Sequence, residues 1–135
     1  MIREIQLKDK EQWEKLYRGY ADFYKVEMND KILQTVWNWL HDKSHEVEGL
    51  IYEAEDKIVG LAHYRRMPSP LRGQYIGFLD DLFLDPKYRG QKIGEKLINK
   101  MKEISNSRGW NLVRWITRNN NTRAKSLYDL SLIHI

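Results

Sequence analysis

The residues best suited to chemistry in this chain fall between Leu79 and Gly94, in the segment LDDLFLDPKYRGQKIG. Its second half sets Gly90 and Gly94 among the cations Lys87, Arg89 and Lys92, with Asp85 the one acid. An apolar run precedes it and an amphipathic run follows, so it is expected to carry the chain from a strand end into a helix start. The first N–H groups of a helix have no partner within the helix, and the aligned peptide dipoles add partial positive charge there. Phosphate binds such a terminus readily. Glycine removes the side chains that would hold a pyrophosphate off the backbone, and nearby cations add charge-assisted contacts. Taken alone, the stretch reads equally well as a solvated helix entry, where glycine and lysine are common. It is not a Walker A loop, since the Gly-Lys-Ser/Thr ending is missing, and G-x-G-x-x-G does not occur. The first half adds two adjacent carboxylates, Asp80 and Asp81, inside an apolar run. In a regular strand they face opposite sides, so one is expected to face a cleft while the other holds structure.

The elements that must position these residues can be read from periodicity. Ile2–Leu7 is expected to be a short strand. Asp9 stands as a helix N-cap with Gln12 completing a capping box, and Trp13, Leu16, Tyr17, Tyr20 and Tyr24 follow at helical spacing. Asn29 is expected to cap a second helix with Ile32, Leu33, Val36 and Leu40 on one face. Val47–Glu55 and Lys57–Arg66 read as a hairpin closed at Glu55-Asp56-Lys57. Pro68-Ser69-Pro70 breaks that pattern, and Tyr75–Leu84 is the next strand. Ile93, Leu97, Ile98, Met101 and Ile104 mark a helix that Gly109 ends. Trp110–Thr117 is expected to be a strand and Asn121–Leu130 a short helix. The order β-α-α-β-β-β-α-β-α is that of an α/β domain around one mixed sheet.

Bulk composition narrows the class. At 135 residues the chain suits one domain with a real core. Without cysteine there is no disulfide framework, thiolate metal site or cysteine nucleophile. His41, His45, His63 and His134 lack metal-ligand spacing and receive no role, so no metal is expected. No apolar run approaches membrane-spanning length and Met1-Ile2-Arg3-Glu4 opens no signal sequence, so a cytoplasmic location without a membrane partner is expected. A net charge of +4 with acids interspersed suits an anionic cofactor better than nucleic acid.

Leu79–Gly94 resembles the acetyl-coenzyme A signature of the GNAT N-acetyltransferase superfamily, and NTRAKSLY, Asn121–Tyr128, resembles that family's N-x-x-A-x-x-L-Y element. FLDDLFL and RWITRNNNTRAKSLYD look most like the diamine and histone/polyamine-type members. One departure lies in the signature, where Lys92 stands for the first glycine of Arg-x-x-Gly-x-Gly; it can still donate its backbone N–H. The resemblance implies a mixed, mostly antiparallel central sheet flanked by helices. It implies transfer of acetyl from acetyl-CoA to a primary amine of a polyamine, small molecule or lysine.

Residue roles follow from the resemblance. Arg89, Gly90, Gln91, Lys92, Ile93 and Gly94 would hold the pyrophosphate. Backbone groups of Leu82, Phe83 and Leu84 would pair with the pantetheine, with that strand splayed from the next one around a bulge. Ala124 would let the arm approach, while Asn121 would contact it or cap its own helix. Asp80 would be the base, through a water, and Tyr128 the acid for the leaving thiolate. For the acceptor, Tyr24, Glu27 and Asp81 are candidates, with Tyr20 beside them and Trp37 or Tyr64 as aromatic walls. A homodimer is implied for the full-length protein.

After Asp129 the chain departs from the family. Leu130–Ile135, LSLIHI, matches the translation of a transposon mosaic-end adapter, so residues 1–129 are expected to be one C-terminally truncated domain and 130–135 a non-native tail. The rival class is a non-catalytic acyl-CoA sensor or an inactive fragment, and Tyr128→Phe separates an enzyme from a sensor.

Overall fold

A computed structural model describes residues 1–116; the expectations for Asn121, Ala124 and Tyr128 lie outside the described residues. The order is β1 (Ile2–Glu4), α1 (Lys10–Phe23), α2 (Asp30–His41), β2 (Glu48–Ala54), β3 (Lys57–Ser69), β4 (Gln74–Leu84), α3 (Ile93–Ser107) and β5 (Val113–Trp115). The strands form one sheet in sequence order. β1 through β4 pair antiparallel and β4 pairs β5 parallel. This is the mixed, mostly antiparallel sheet with flanking helices that the sequence implied.

Local chemistry explains most boundaries. The hairpin between β2 and β3 turns on Glu55 and Asp56, both with positive φ (53° and 63°), the backbone of a two-residue turn whose twist matches its strands. Asn29 caps α2 by accepting from the Ile32 N–H at 2.9 Å. Gly109, at φ 83°, ends α3.

Two expectations change. Asp9 makes no cap hydrogen bond to α1; its carboxylate takes the two ends of the Arg3 guanidinium at 2.7 and 2.9 Å, and the Gln6 N–H at 2.7 Å. Gln12 instead accepts from the Ile58 N–H on β3. A buried bidentate cation outcompetes a local cap. Pro68 does not end β3, which runs on to Ser69 with Pro68 opposite Tyr75.

Each face of the sheet carries its own core. α3 packs Ile93, Leu97, Ile98 and Met101 onto Leu50, Val59, Ala62, Leu79 and Val113. α1 and α2 pack Trp13, Leu16, Leu33 and Trp37 onto Ile51, Leu61 and Phe83. Alternation along β3 sorts the two sets, with Leu61 on the α1 side and Ala62 on the α3 side.

Candidate active site

The site begins with a fault in the β3–β4 ladder. His63 pairs with Asp81 but Tyr64 pairs with Leu79, so Asp80 is the extra residue of a bulge. Its consequence appears in the partners. Arg65 and His63, two apart on β3, share a face. Arg65 Nε donates to Asp80 at 3.0 Å, and His63 Nδ1 lies 2.8 Å from Asp81 Oδ2. Both carboxylates therefore project toward α1. The expectation of opposite faces holds for a regular strand, and the bulge overrides it.

Their environments drive the two acids apart. Burial raises the Asp80 carboxyl pKa, the Arg65 charge opposes it, and the neighbouring Asp81 charge adds to the rise; the net shift is upward. Burial works the same way on Asp81, but hydrogen bonds from His63, Tyr17 and Tyr20 outweigh it, and the net shift is downward. The Tyr17 hydroxyl sits 2.8 Å from Asp81 Oδ2. Burial, with the Asp81 charge behind it, holds the Tyr17 and Tyr20 phenols well above the ordinary range, so both remain donors.

Among the described residues the parallel ladder between β4 and β5 stops at Leu79–Trp115, while Asp81–Leu84 pair only with β3. The expected splay of this strand from the next turns on residues beyond 116, outside the described residues. The Phe83 side chain is buried, and Leu82 and Leu84 pack on the α3 core, which leaves their backbone as the part available to a ligand.

The chain leaves β4 through a turn in which Asp85 accepts from the Lys87 N–H at 3.0 Å. Gly90, at φ 90°, and Lys92, at φ 61°, bend it into α3. Lys92 occupies the N-cap position and no side chain caps the helix, so the N–H groups of Ile93, Gly94 and Glu95 face the loop. Lys87, Arg89, Gln91 and Lys92 lie in the loop that leads into that terminus. This donor set, uncapped amides next to a cationic loop, fits a pyrophosphate. The buried Ile93 can contribute only its backbone. Arg89 lies over the Phe23 and Phe83 rings, at 4.8 and 5.4 Å from their centroids, which ties the loop to α1.

Of the acceptor candidates, Asp81 lies inside the cluster. Tyr24 stacks on Tyr20 with centroids 5.0 Å apart, extending an aromatic row from Tyr17. Glu27 is exposed on the connection to α2. Trp37 and Tyr64 are not walls of this cluster: Trp37 packs in the α1–α2 core and Tyr64 in the α3 core. His63, passed over in the sequence, is central. Its one signal was position, a polar residue where the alternation of β3 calls for an apolar one facing α1. An open cleft of about 670 Å³ lies elsewhere, lined by Asp42, Glu48, Arg66, Arg108 and Trp110, and Tyr64 alone of the expected site residues reaches it. Among the described residues no group of three or more acids or histidines could hold a metal ion, and no helix is long and apolar enough to cross a membrane.

Comparison with known proteins converges with this geometry. Residues 13–131 match the family described as Acetyltransferase (GNAT) family. The D-amino-acid N-acetyltransferase HPA3 of Saccharomyces cerevisiae is 28% identical over 130 residues, covering 95% of this chain and 81% of that protein. The thialysine N-epsilon-acetyltransferase of Bos taurus is 37% identical over 71 residues, 53% of this chain and 41% of that protein. Among solved structures, a probable acetyltransferase superposes with a TM-score of 0.87 at 17% identity, covering 100% of this chain and 90% of that one. The aminoglycoside N-acetyltransferase AAC(6')-Iy in complex with CoA gives 0.82 at 18%, covering 99% and 88%. At such identities these two speak to the fold alone.

Proposed function

We propose, for a chain that belongs to the GNAT family of acetyltransferases and is itself an N-acetyltransferase, that it moves acetyl directly from acetyl-CoA to a primary amine. One observation carries the reading: adjacent carboxylates on one face, one pushed toward protonation and one away from it, on a strand whose far edge no other described residue pairs with, and an uncapped helix terminus after it. Two titratable groups driven apart in this way can take separate roles.

Acetyl-CoA, when bound, supplies the thioester. The uncapped amides of α3, with Lys87, Arg89 and Lys92, would hold its pyrophosphate, and the free edge of Leu82–Leu84 would receive the pantetheine as an added strand. A backbone N–H there would polarise the thioester carbonyl. An amine of pKa about 10 arrives as ammonium at neutral pH. Asp81, ionised, would hold it, with Tyr20 and Tyr24 as aromatic neighbours of the cation. Asp80, directly or through a water, would take a proton from the ammonium; the freed amine would attack the carbonyl, the C–N bond forming as the C–S bond breaks, the nitrogen would lose its second proton to solvent, and Tyr128 would protonate the thiolate and be reprotonated from solvent. Asp80 must first leave Arg65, and an incoming ammonium competes for the same oxygens.

The relatives' printed activities, toward D-amino acids and thialysine, are consistent with a small amine acceptor. The test is CoA release from acetyl-CoA across polyamines, amino acids, aminoglycosides and lysine peptides. Because the chain has no cysteine, a thiol reagent reads released CoA without background from the protein. Release that depends on one class of amine is expected. A protein that binds CoA but releases none with any amine would sink the proposal.

A further inference from the structure

Beneath the paired carboxylates, three side chains from separate elements meet in the interior. Trp13 of α1 is 0% exposed and His63 of β3 is 1% exposed. Trp13 Nε1 donates to His63 Nε2 at 3.0 Å, and His63 Nδ1 lies 2.8 Å from Asp81 Oδ2. An indole N–H is a donor and nothing else. His63 Nε2 must therefore accept, and the proton of the neutral ring sits on Nδ1, donated to Asp81. Tyr17 stands edge-on to the imidazole, centroids 4.7 Å apart at 87°, so the ring is held from the side as well.

We propose that His63 is a positioning residue: through the Trp13–His63–Asp81 relay it keeps the Asp81 carboxylate ionised and aimed at the acceptor, leaving Asp80 to take the proton. The role of Asp81 toward an ammonium rests on the acetyl-transfer reading above, while the relay itself does not. The groups that face Asp81 are His63 on β3, Tyr17 and Tyr20 on α1, and Asp80 with its partner Arg65 across the bulge. His63 is the one whose far side is anchored in the core, by a donor that dictates its tautomer.

Two substitutions separate the halves of the relay. An asparagine amide reaches the place of Nδ1, so His63→Asn keeps a donor for Asp81 and gives up the Trp13 bond. A glutamine amide reaches the place of Nε2, so His63→Gln does the reverse. In His63→Gln the KM for the amine should rise about tenfold with kcat little changed, as for loss of one hydrogen bond to a charged group. A carboxyl-carbon NMR titration should show Asp81 protonating at higher pH in that variant, with a smaller change by both measures in His63→Asn, which keeps the donor but loses its anchor. An Asp81 titration that His63→Gln leaves unmoved overturns the relay, as do equal KM rises in the two variants or a fall in kcat alone. Imidazole nitrogen shifts of the wild-type protein decide the matter even if a variant does not fold. Nδ1 should carry the proton and Nε2 should be bare, and a proton on Nε2 overturns the proposal. The NMR measurements need no turnover, so a wild type that releases no CoA removes the acetyl-transfer reading and still leaves the relay to be decided.

Discussion

Asp80 and Asp81 are the same residue type one position apart, and their chemistry differs because their neighbours do. Asp80, with its side chain 31% exposed, meets one cation, Arg65; Asp81, at 18%, meets donors on two elements. Asp80→Asn is expected to lower kcat about a hundredfold or more, the usual weight of a general base, with CoA binding unchanged. The sign of its effect on stability is the opposite. A carboxyl whose folded pKa is raised costs stability once pH rises through the unfolded value, so removing its charge should leave the neutral-pH melting temperature equal or higher. A variant that loses activity and melting temperature together would show Asp80 to be structural.

At the scale of elements, the loop from β4 into α3 carries a local conflict. Lys92 adopts a left-handed backbone at φ 61° where the family pattern has glycine, and such a conformation costs an L-residue about 1–2 kcal/mol. Lys92→Gly should raise unfolding stability by about 1 kcal/mol once the greater chain entropy of glycine is counted. It should also weaken CoA binding, because an ammonium at the phosphate site is lost. Urea unfolding and calorimetric titration with CoA measure the two effects. Stabilisation without loss of affinity would show that the Lys92 charge does not face the pyrophosphate. The same element scale accounts for the failed capping box: Asp9 and Gln12 have the right spacing, but Arg3 and the Ile58 N–H, far off in sequence or on another strand, claim them first.

Across the whole molecule, Asp9 and Asp81 tie the edge and the centre of the sheet to α1 and its entry. The Asp9 carboxyl pKa is lowered chiefly by its hydrogen bonds to Arg3, and that of Asp81 is lowered despite burial. Groups with depressed folded values contribute stability that is present above the unfolded carboxylate pKa, about 4, and lost as pH falls through the folded values. Urea unfolding from about pH 7 to about pH 3 should therefore show stability falling at the acid end, with a flatter slope in the Asp9→Asn, Asp81→Asn double variant. An unchanged slope would mean that other carboxylates dominate acid unfolding.

The order of the elements up to residue 116, the hairpin turn, the α2 cap and the cationic loop before α3 were legible because each is written in residues a few positions apart. Periodicity and turn chemistry are local, and the acetyl-coenzyme A signature is one continuous segment. The bulge at Asp80 was not, since it exists only in the register of β4 against β3, and that register turns two alternating acids into neighbours on one face. Nor could the sequence reveal that Trp13, His63 and Asp81 touch, because fifty residues separate the first two and eighteen the next. The sequence by itself determined which chemistry the chain carries. Packing across the sheet decided which acid is held ionised by donors from two elements and which is pushed toward protonation beside Arg65.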